Sequence, residues 1–275
     1  MTTEAIFPGL DELAARIEDG ASLAIPPDYS NVPLAATAAL IRRNARNLNL
    51  VAVPTSGMQT DLLIGAGCVA SLEAAAVSLG EFGPAPRFTD AIRHGALVMR
   101  DSTCPAIHAA LQAAEKGVPF MALRGVIGSD LIGRRPDWTV IDNPFGDNDP
   151  ILLLPALRPD VALFHARRAD RAGNVWLGRR RELVTMAHAA RRTLVTVEEV
   201  VDDDLLADEV VAAGVLPALY VEAIALAPGG AQPLGLEGVY EADRAMLVDY
   251  AEMAQSADGF ARWLDRFLAT KAAAA

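Results

Sequence analysis

Only a few polar stretches in this 275-residue chain are placed to do chemistry. Glu81 stands between glycines in "LGEFGPAPRFTDAIRHGAL", just after a strand-like run, where a carboxylate would be presented on a loop. The run "GVPFMAL" leads into a loop with Gly125, Gly128, Ser129 and Asp130. Glycine there lets the backbone approach a ligand, and Ser or Asp can cap or hydrogen-bond. Ser102 and Thr103 precede the helical pattern "CPAIHAALQAAEK". The segment "SLAIPPDYSNVPLAATAALIRR" reads as strand, turn and helix. In many α/β proteins such a turn is glycine-rich and takes a phosphate or an acyl thioester against the helix N-terminus. Here it holds Pro26, Pro27, Tyr29, Ser30 and Asn31 and no glycine. It is a damaged ligand loop, a loop re-tuned for another ligand, or only a connection.

The other reactive side chains read as structural. Asp90–His94 and Cys104–His108 are each spaced to share a helical face, but neither pair has a third ligand nearby, so no metal site is expected. Cys68 and Cys104 have no CxxC partner; Cys104 sits near a helix start, where a thiolate can be stabilised. Arg179–Arg181 is the densest basic run and reads as a solvated helix start with reach toward a phosphate. The segment "VDDDLLADE" is a polar turn and helix cap. The serine-hydrolase elbow, the P-loop and the dinucleotide glycine fingerprint are absent.

Apolar runs alternate with helical patterns, and these must position the loops. Strands are predicted at 22–25, 48–53, 69–75, 96–99, 120–123, 161–166, 194–197 and 218–226. Helices are predicted at 10–18, 34–45, 59–64, 89–93, 107–116, 181–190, 243–255 and 258–269. Alternation of this kind implies an open, mainly parallel α/β sheet covered by helices on both faces. The Pro-, Gly- and Asp-rich stretch 134–150 reads as a long surface loop or small insertion, and the tail "TKAAAA" as frayed. Residues 1–275 are read as one domain.

Composition narrows the classes. Hydrophobic residues make 52% and charged residues 21%, enough for a large core. A net charge of −11 argues against nucleic acid. The least charged stretch, 210–236, carries Glu222, Pro217, Pro228 and a Gly-Gly pair, so no membrane span is expected. The start lacks a basic n-region and an apolar h-region, and two cysteines suggest a reducing compartment; a cytoplasmic location is expected. A mean hydropathy of +0.24 suggests an apolar face covered by association, as a hetero- or homo-oligomer.

Three stretches, in order, resemble the α subunit of family I coenzyme A transferases, the group that includes glutaconate and 3-oxoacid CoA-transferases. "PDVALFHARRADRAGN" is similar to the family's P-D-V-A-x-x-H-x-x-x-A-D-x-x-G-N segment. "GEFGPAPRF" resembles its glutamate-containing G-x-A-P-x-F stretch, and "GVPF" followed by "GSDL" resembles its G-x-P-F and G-S-D-L loop. The resemblance spans roughly residues 17–228 and implies the open sheet shared with ribose-5-phosphate isomerases.

It further implies metal-free exchange of coenzyme A between an acyl-CoA and a carboxylic acid, with the nucleophilic glutamate on a β subunit. On that reading this chain supplies pocket wall and oxyanion donors, with Ser30, Asn31, Glu81, Ser102, Thr103, Gly128 and Ser129 as candidates. Pro26, Pro27 and Tyr29 would narrow or re-aim the substrate loop. A branch of the family that hydrolyses CoA thioesters has Ser-Glu where this chain has Ser102-Thr103, so the glutamate is missing. The alternatives are a thioester hydrolase subunit on the same scaffold, or a non-catalytic binding or regulatory paralogue.

Overall fold

The computed structural model describes residues 7–273. In chain order its first half holds α1 (Leu10–Ala15), β1 (Ser22–Ile25), α2 (Leu34–Arg42), β2 (Leu48–Ala52), β3 (Thr55–Ser56), α3 (Met58–Gly65), β4 (Val69–Ala74), β5 (Ala76–Val77), α4 (Pro86–Arg93), β6 (Val98–Asp101), α5 (Cys104–Glu115) and β7 (Phe120–Leu123). The second half holds α6 (Leu131–Arg134), β8 (Thr139–Asp142), β9 (Pro150–Pro155), β10 (Val161–Asp170), β11 (Val175–Trp176), α7 (Arg181–Ala189), β12 (Arg192–Val201), α8 (Glu209–Ala212), β13 (Val215–Leu216), β14 (Ala223–Leu226), α9 (Arg244–Met253) and α10 (Ala257–Ala273).

Seven parallel strands form the main sheet in the order β14-β12-β10-β1-β2-β4-β6. β11 and β13 extend the far end of β10 in antiparallel fashion. The chain builds outward from β1 to β6, then returns to the other side of β1. The strand order therefore reverses between β1 and β10. In open α/β sheets, ligands bind outside the carboxyl ends of the strands at such a reversal.

Successive strand residues face opposite ways. Leu23 and Ile25 pack with Leu13, Leu40 and Leu63 from α1, α2 and α3. Ala24, with Ala162 and Phe164, faces Ile107, Leu111, Leu183 and Met186 from α5 and α7. Burial on both faces is why these strands read as continuous apolar runs. α10 adds a third layer: its stripe of Phe260, Trp263 and Phe267 packs on Leu34 and Leu62. Helix α5 is started by Thr103, whose hydroxyl accepts the Ala106 N–H at 3.3 Å, with a proline in its first turn.

Three expectations are corrected. Stretch 134–150 is not all loop: it contains β8, which joins β7 and β9 in a small antiparallel sheet packed on α5. Proline and aspartates flanking only four strand residues hid it. The strand expected at 218–226 begins at Ala223, because Pro217 first starts a 3₁₀ turn. Of the tail expected to fray, the part up to Ala273 continues α10, with Lys271 buried in it; residues 274–275 lie outside the described residues.

Candidate active site

β1 ends at the reversal, and the turn that follows it is fixed from several sides. Pro26 and Pro27 are buried. One oxygen of Asp28 accepts the Met58 N–H at 2.8 Å, at the start of α3. A Cβ at Gly57 would collide with that carboxylate and with the Ser78 carbonyl, so only glycine lets these chains meet. The other Asp28 oxygen is enclosed and has no hydrogen-bond partner. Burial pushes the Asp28 carboxyl up to about 6, against the Met58 and Gly57 N–H groups, and the charge of Asp61 adds to the rise.

Asp28 and Tyr29 line a cleft of about 530 Å³ beyond the carboxyl ends of β1, β2 and β4. Its walls are largely apolar, with Met58, Leu79, Phe82, Leu234 and Leu247; its ionisable groups are Asp28, Glu81, Glu241 and the phenols of Tyr29 and Tyr250. A cavity of about 370 Å³ runs along one face of the sheet, from Ser22 and Asn49 to Glu73 and Arg100. There Arg135 is already bound by Glu73 at 2.9 Å and by Asp137. Position at the reversal and a mixed apolar lining favour the first cleft as the site.

Glu81 sits on the rim of that cleft. Arg244 at the start of α9 grips it with two bonds of 2.5 and 3.0 Å. Those bonds hold its carboxyl below the ordinary range. The same guanidinium lies 5.3 Å from the centre of the Phe82 ring.

On the other side of Tyr29 the turn is tied to α7 and β10. Ser30 is buried, and its hydroxyl donates to Glu182. Asn31 takes a left-handed conformation, φ 58°, and its carbonyl accepts the His165 N–H at 2.7 Å. Tyr29 itself is 66% exposed. Its hydroxyl is pushed up by partial burial and then by the charges of Glu182 and Cys104. It therefore stands between the cleft and the N-terminal ends of α5 and α7.

Behind the turn lies a polar clasp that sequence reasoning missed. The Glu198 carboxylate accepts from His165 Nε2 at 2.7 Å, the Tyr240 hydroxyl at 2.7 Å, and the N–H groups of Gly229 at 2.8 Å and Gly230 at 3.2 Å. Burial works to raise this carboxyl, but the donors outweigh it and hold it at about 2. His165 Nδ1 lies 2.8 Å from the Thr196 hydroxyl. Burial lowers the His165 pKa, and a neutral ring with its proton on Nε2 satisfies both neighbours. Lys271 donates to the Gly229 carbonyl at 2.7 Å and is lowered to about 8 by burial. Only His165, within the "PDVALFH" segment, carried a signal in the sequence.

The structure thus brings Tyr29 and Glu81 to one cleft, whereas Pro26 and Pro27 are buried in the turn and do not line it. Ser30 and Asn31 lie next to it but face α7 and β10. Thr103 is spent on capping α5, and Ser102 beside it has a buried hydroxyl without a partner. Gly128 and Ser129 belong to the loop before α6 and do not line the cleft; Ser129 turns its hydroxyl back to the Val126 carbonyl at 2.7 Å. Arg179 and Arg180 both bind Glu237. Among the described residues no cluster of three or more His, Cys, Asp or Glu stands ready for a metal, and no helix is long and apolar enough to cross a membrane.

Residues 9–227 match the family model described as coenzyme A transferase. The chain is 34% identical to the A subunit of 3-oxoadipate CoA-transferase from Pseudomonas knackmussii, over 92% of this chain and 89% of that one. Among solved structures it is similar to a cysteine-to-serine variant of the decarboxylase AibA/AibB, at 34% identity and TM-score 0.84, covering 98% of this chain and all of that one. It is also similar to glutaconate coenzyme A-transferase from Acidaminococcus fermentans, at 25% identity and TM-score 0.86, over 94% of this chain and 87% of that one.

Proposed function

This chain belongs to the coenzyme A transferase family, and from that premise we propose that it is the α subunit of a CoA-transferase, working with a β subunit to move coenzyme A between an acyl-CoA and a carboxylic acid. The observation that carries the reading is the match to the corresponding 3-oxoadipate CoA-transferase chain across nearly the full length of both. The carboxylates around the reversal fit a supporting role. Glu81 is held by Arg244, Glu182 by Ser30, and Glu198 by four donors. A carboxylate bound this way is a poor nucleophile, because attack would break its hydrogen bonds.

The partner's glutamate would attack the thioester carbonyl, expelling the CoA thiolate and forming an acyl–glutamyl anhydride. The thiolate would then attack the glutamyl carbonyl, releasing the first acid and leaving a glutamyl-CoA thioester. The acceptor acid would reverse the sequence. Each step exchanges groups of similar leaving ability, which divides one hard acyl transfer into easier ones. This chain would hold the acyl group against the wall formed by Tyr29, Phe82 and Leu247 and keep water from the anhydride.

Likeness to a decarboxylase supports a second reading, loss of carbon dioxide from a carboxylated acyl-CoA on the same scaffold. Co-expression with a similar chain carrying a glutamate-glycine loop separates the readings. Borohydride trapping after acyl-CoA addition, with peptide mass mapping, should place the adduct on the partner's glutamate. The full chain alone should be slower by at least about a thousandfold, the cost of roughly 4 kcal/mol. An adduct on Glu81, or carbon dioxide release without a new thioester, would overturn the transferase reading.

A further inference from the structure

A further cavity, also of about 370 Å³, lies beside the cleft and differs from it in charge. Arg167 of β10, Trp176 of β11, Arg179 and Arg180 just before α7, and Glu237 of the loop between β14 and α9 line it. Three cations thus face one carboxylate, in a chain whose net charge is −11. Guanidinium groups keep their charge in proteins, and their planar forks match phosphate oxygens. Arg179 and Arg180 share Glu237, whose side chain is 52% exposed. An exposed pair of this kind holds weakly and yields to an anion of higher charge. Among the described residues Arg167 has no hydrogen bond or ion pair. α7 starts at the same wall, and its N-cap, Arg180, supplies no side-chain cap, so the positive end of that helix adds to the field.

Two segments divide this cavity from the cleft. In the turn after β1, Tyr29 lines the cleft and Asn31 the cavity. In the loop before α9, Leu234 and Glu241 line the cleft, and Leu236 and Glu237 the cavity. A ligand with an acyl group at one end and phosphates at the other, joined by a flexible uncharged linker, would engage both sides of that divide.

We propose that this cavity binds the phosphates of the coenzyme A thioester whose acyl group enters the cleft. Arg167 is the free anchor, and Glu237 is the carboxylate that the phosphates displace from Arg179 and Arg180. The proposal rests on the CoA-transferase reading and extends it to the nucleotide end of the substrate. A free polyphosphate offers the same anionic chemistry without the acyl chain, and the test separates the two.

Calorimetric titration of the full chain with butyryl-CoA, with S-butyrylpantetheine, which lacks every phosphate, and with inorganic pyrophosphate reads binding without turnover. Butyryl-CoA should bind at least about tenfold more tightly than either of the others, as one charge-assisted contact dictates. Arg167→Ala should weaken butyryl-CoA about tenfold and change S-butyrylpantetheine by about twofold or less, a split that a merely structural loss would not produce. Glu237→Gln frees two guanidinium groups and should tighten butyryl-CoA by about threefold or more. Both effects should shrink as salt is added. Trp176 lines the cavity, while Trp138 and Trp263 lie elsewhere, so butyryl-CoA should alter tryptophan emission and Trp176→Phe should abolish that change. Equal binding of the two thioesters overturns the proposal, as does butyryl-CoA binding that is indifferent to Arg167→Ala or weakened by Glu237→Gln. An emission change that survives Trp176→Phe overturns it as well. Pyrophosphate bound as tightly as butyryl-CoA would assign the cavity to a free polyphosphate and overturn the thioester assignment. CoA transfer by the two-chain complex that ignores Arg167→Ala would overturn the phosphate site and leave the transferase reading standing. The expected binding pattern without CoA transfer would sustain the site and overturn the transferase reading instead.

Discussion

Two carboxylates stand at the same end of the sheet and are treated in opposite ways. Glu198 is surrounded by four donors and held at about 2, while Asp28 has one oxygen bonded, the other enclosed without a partner, and a pKa pushed up to about 6. Burial opposes ionisation at both sites. At Glu198 the imidazole, the phenol and two backbone N–H groups overcome it; at Asp28 the bonds from the start of α3 do not. The saturated group binds elements together: β12 to β10 through His165, and both to the Gly229–Gly230 turn. The unsaturated group lines the cleft. Polar satisfaction thus separates the part of the reversal that holds the fold from the part that faces a ligand.

The comparison breaks most readily at Glu198. Glu198→Ala leaves the Gly229 and Gly230 N–H groups, the Tyr240 hydroxyl and His165 without their acceptor. Removing one member of such a buried network costs about 3–5 kcal/mol. The melting temperature should fall by roughly 10 °C for a chain of this size. A fall of under about 3 °C would mean that the clasp is replaceable by water.

Asp28→Asn should act in the other direction and with pH. The Asp28 pKa is raised from 3.8 to about 6 in the folded chain. Its favourable contribution is therefore present below about pH 4 and is lost as pH rises through about 6. Asparagine keeps an acceptor for the Met58 N–H and cannot ionise. Relative to the natural chain, the variant should gain up to about 3 kcal/mol between pH 4 and pH 7. Asp61, Glu81, Glu241, Tyr29 and Tyr250 face the same region and are present in both proteins, so denaturant melts at the two pH values read the difference. A difference that stays constant with pH would remove Asp28 from the unsaturated side of the comparison.

How much of this was legible follows the range of the interactions involved. Parallel strands buried on both faces announce themselves as apolar runs, and β1, β2, β4, β10, β12 and β14 were all readable. β8 was not, because four exposed residues flanked by turn formers carry no period. Glu81, which lines the cleft, drew notice in the sequence because it stands alone on a glycine-flanked loop. Glu198 looked like the polar end of a strand, since its partners His165, Gly229 and Tyr240 lie 33, 31 and 42 positions away. Asp28 was read through as one more turn residue in "PPDYSN"; its capping of α3 is a tertiary contact. Gly128 and Ser129 lie instead in the loop between β7 and α6 and do not line this cleft.

The smallest expected change in stability comes from Tyr29, and it decides what the glycine-free turn is for. The turn is already fixed without the phenol, by Asp28 on Met58, by Ser30 on Glu182 and by the Asn31 carbonyl on His165. With Tyr29 66% exposed, Tyr29→Gly removes little burial and costs about 0.5–1 kcal/mol, mostly through backbone entropy. It does remove an aromatic wall from the cleft. Discrimination between short and long acyl-CoA thioesters should therefore shift by about 1–3 kcal/mol, what one pocket side chain usually provides. Calorimetric titration of butyryl-CoA and octanoyl-CoA against both proteins, beside a thermal melt, measures the two effects together. Altered chain-length preference at a nearly constant melting temperature marks a loop re-tuned for its ligand. Unchanged preference with a lowered melting temperature would mean that the turn is only the connection from β1 to α2.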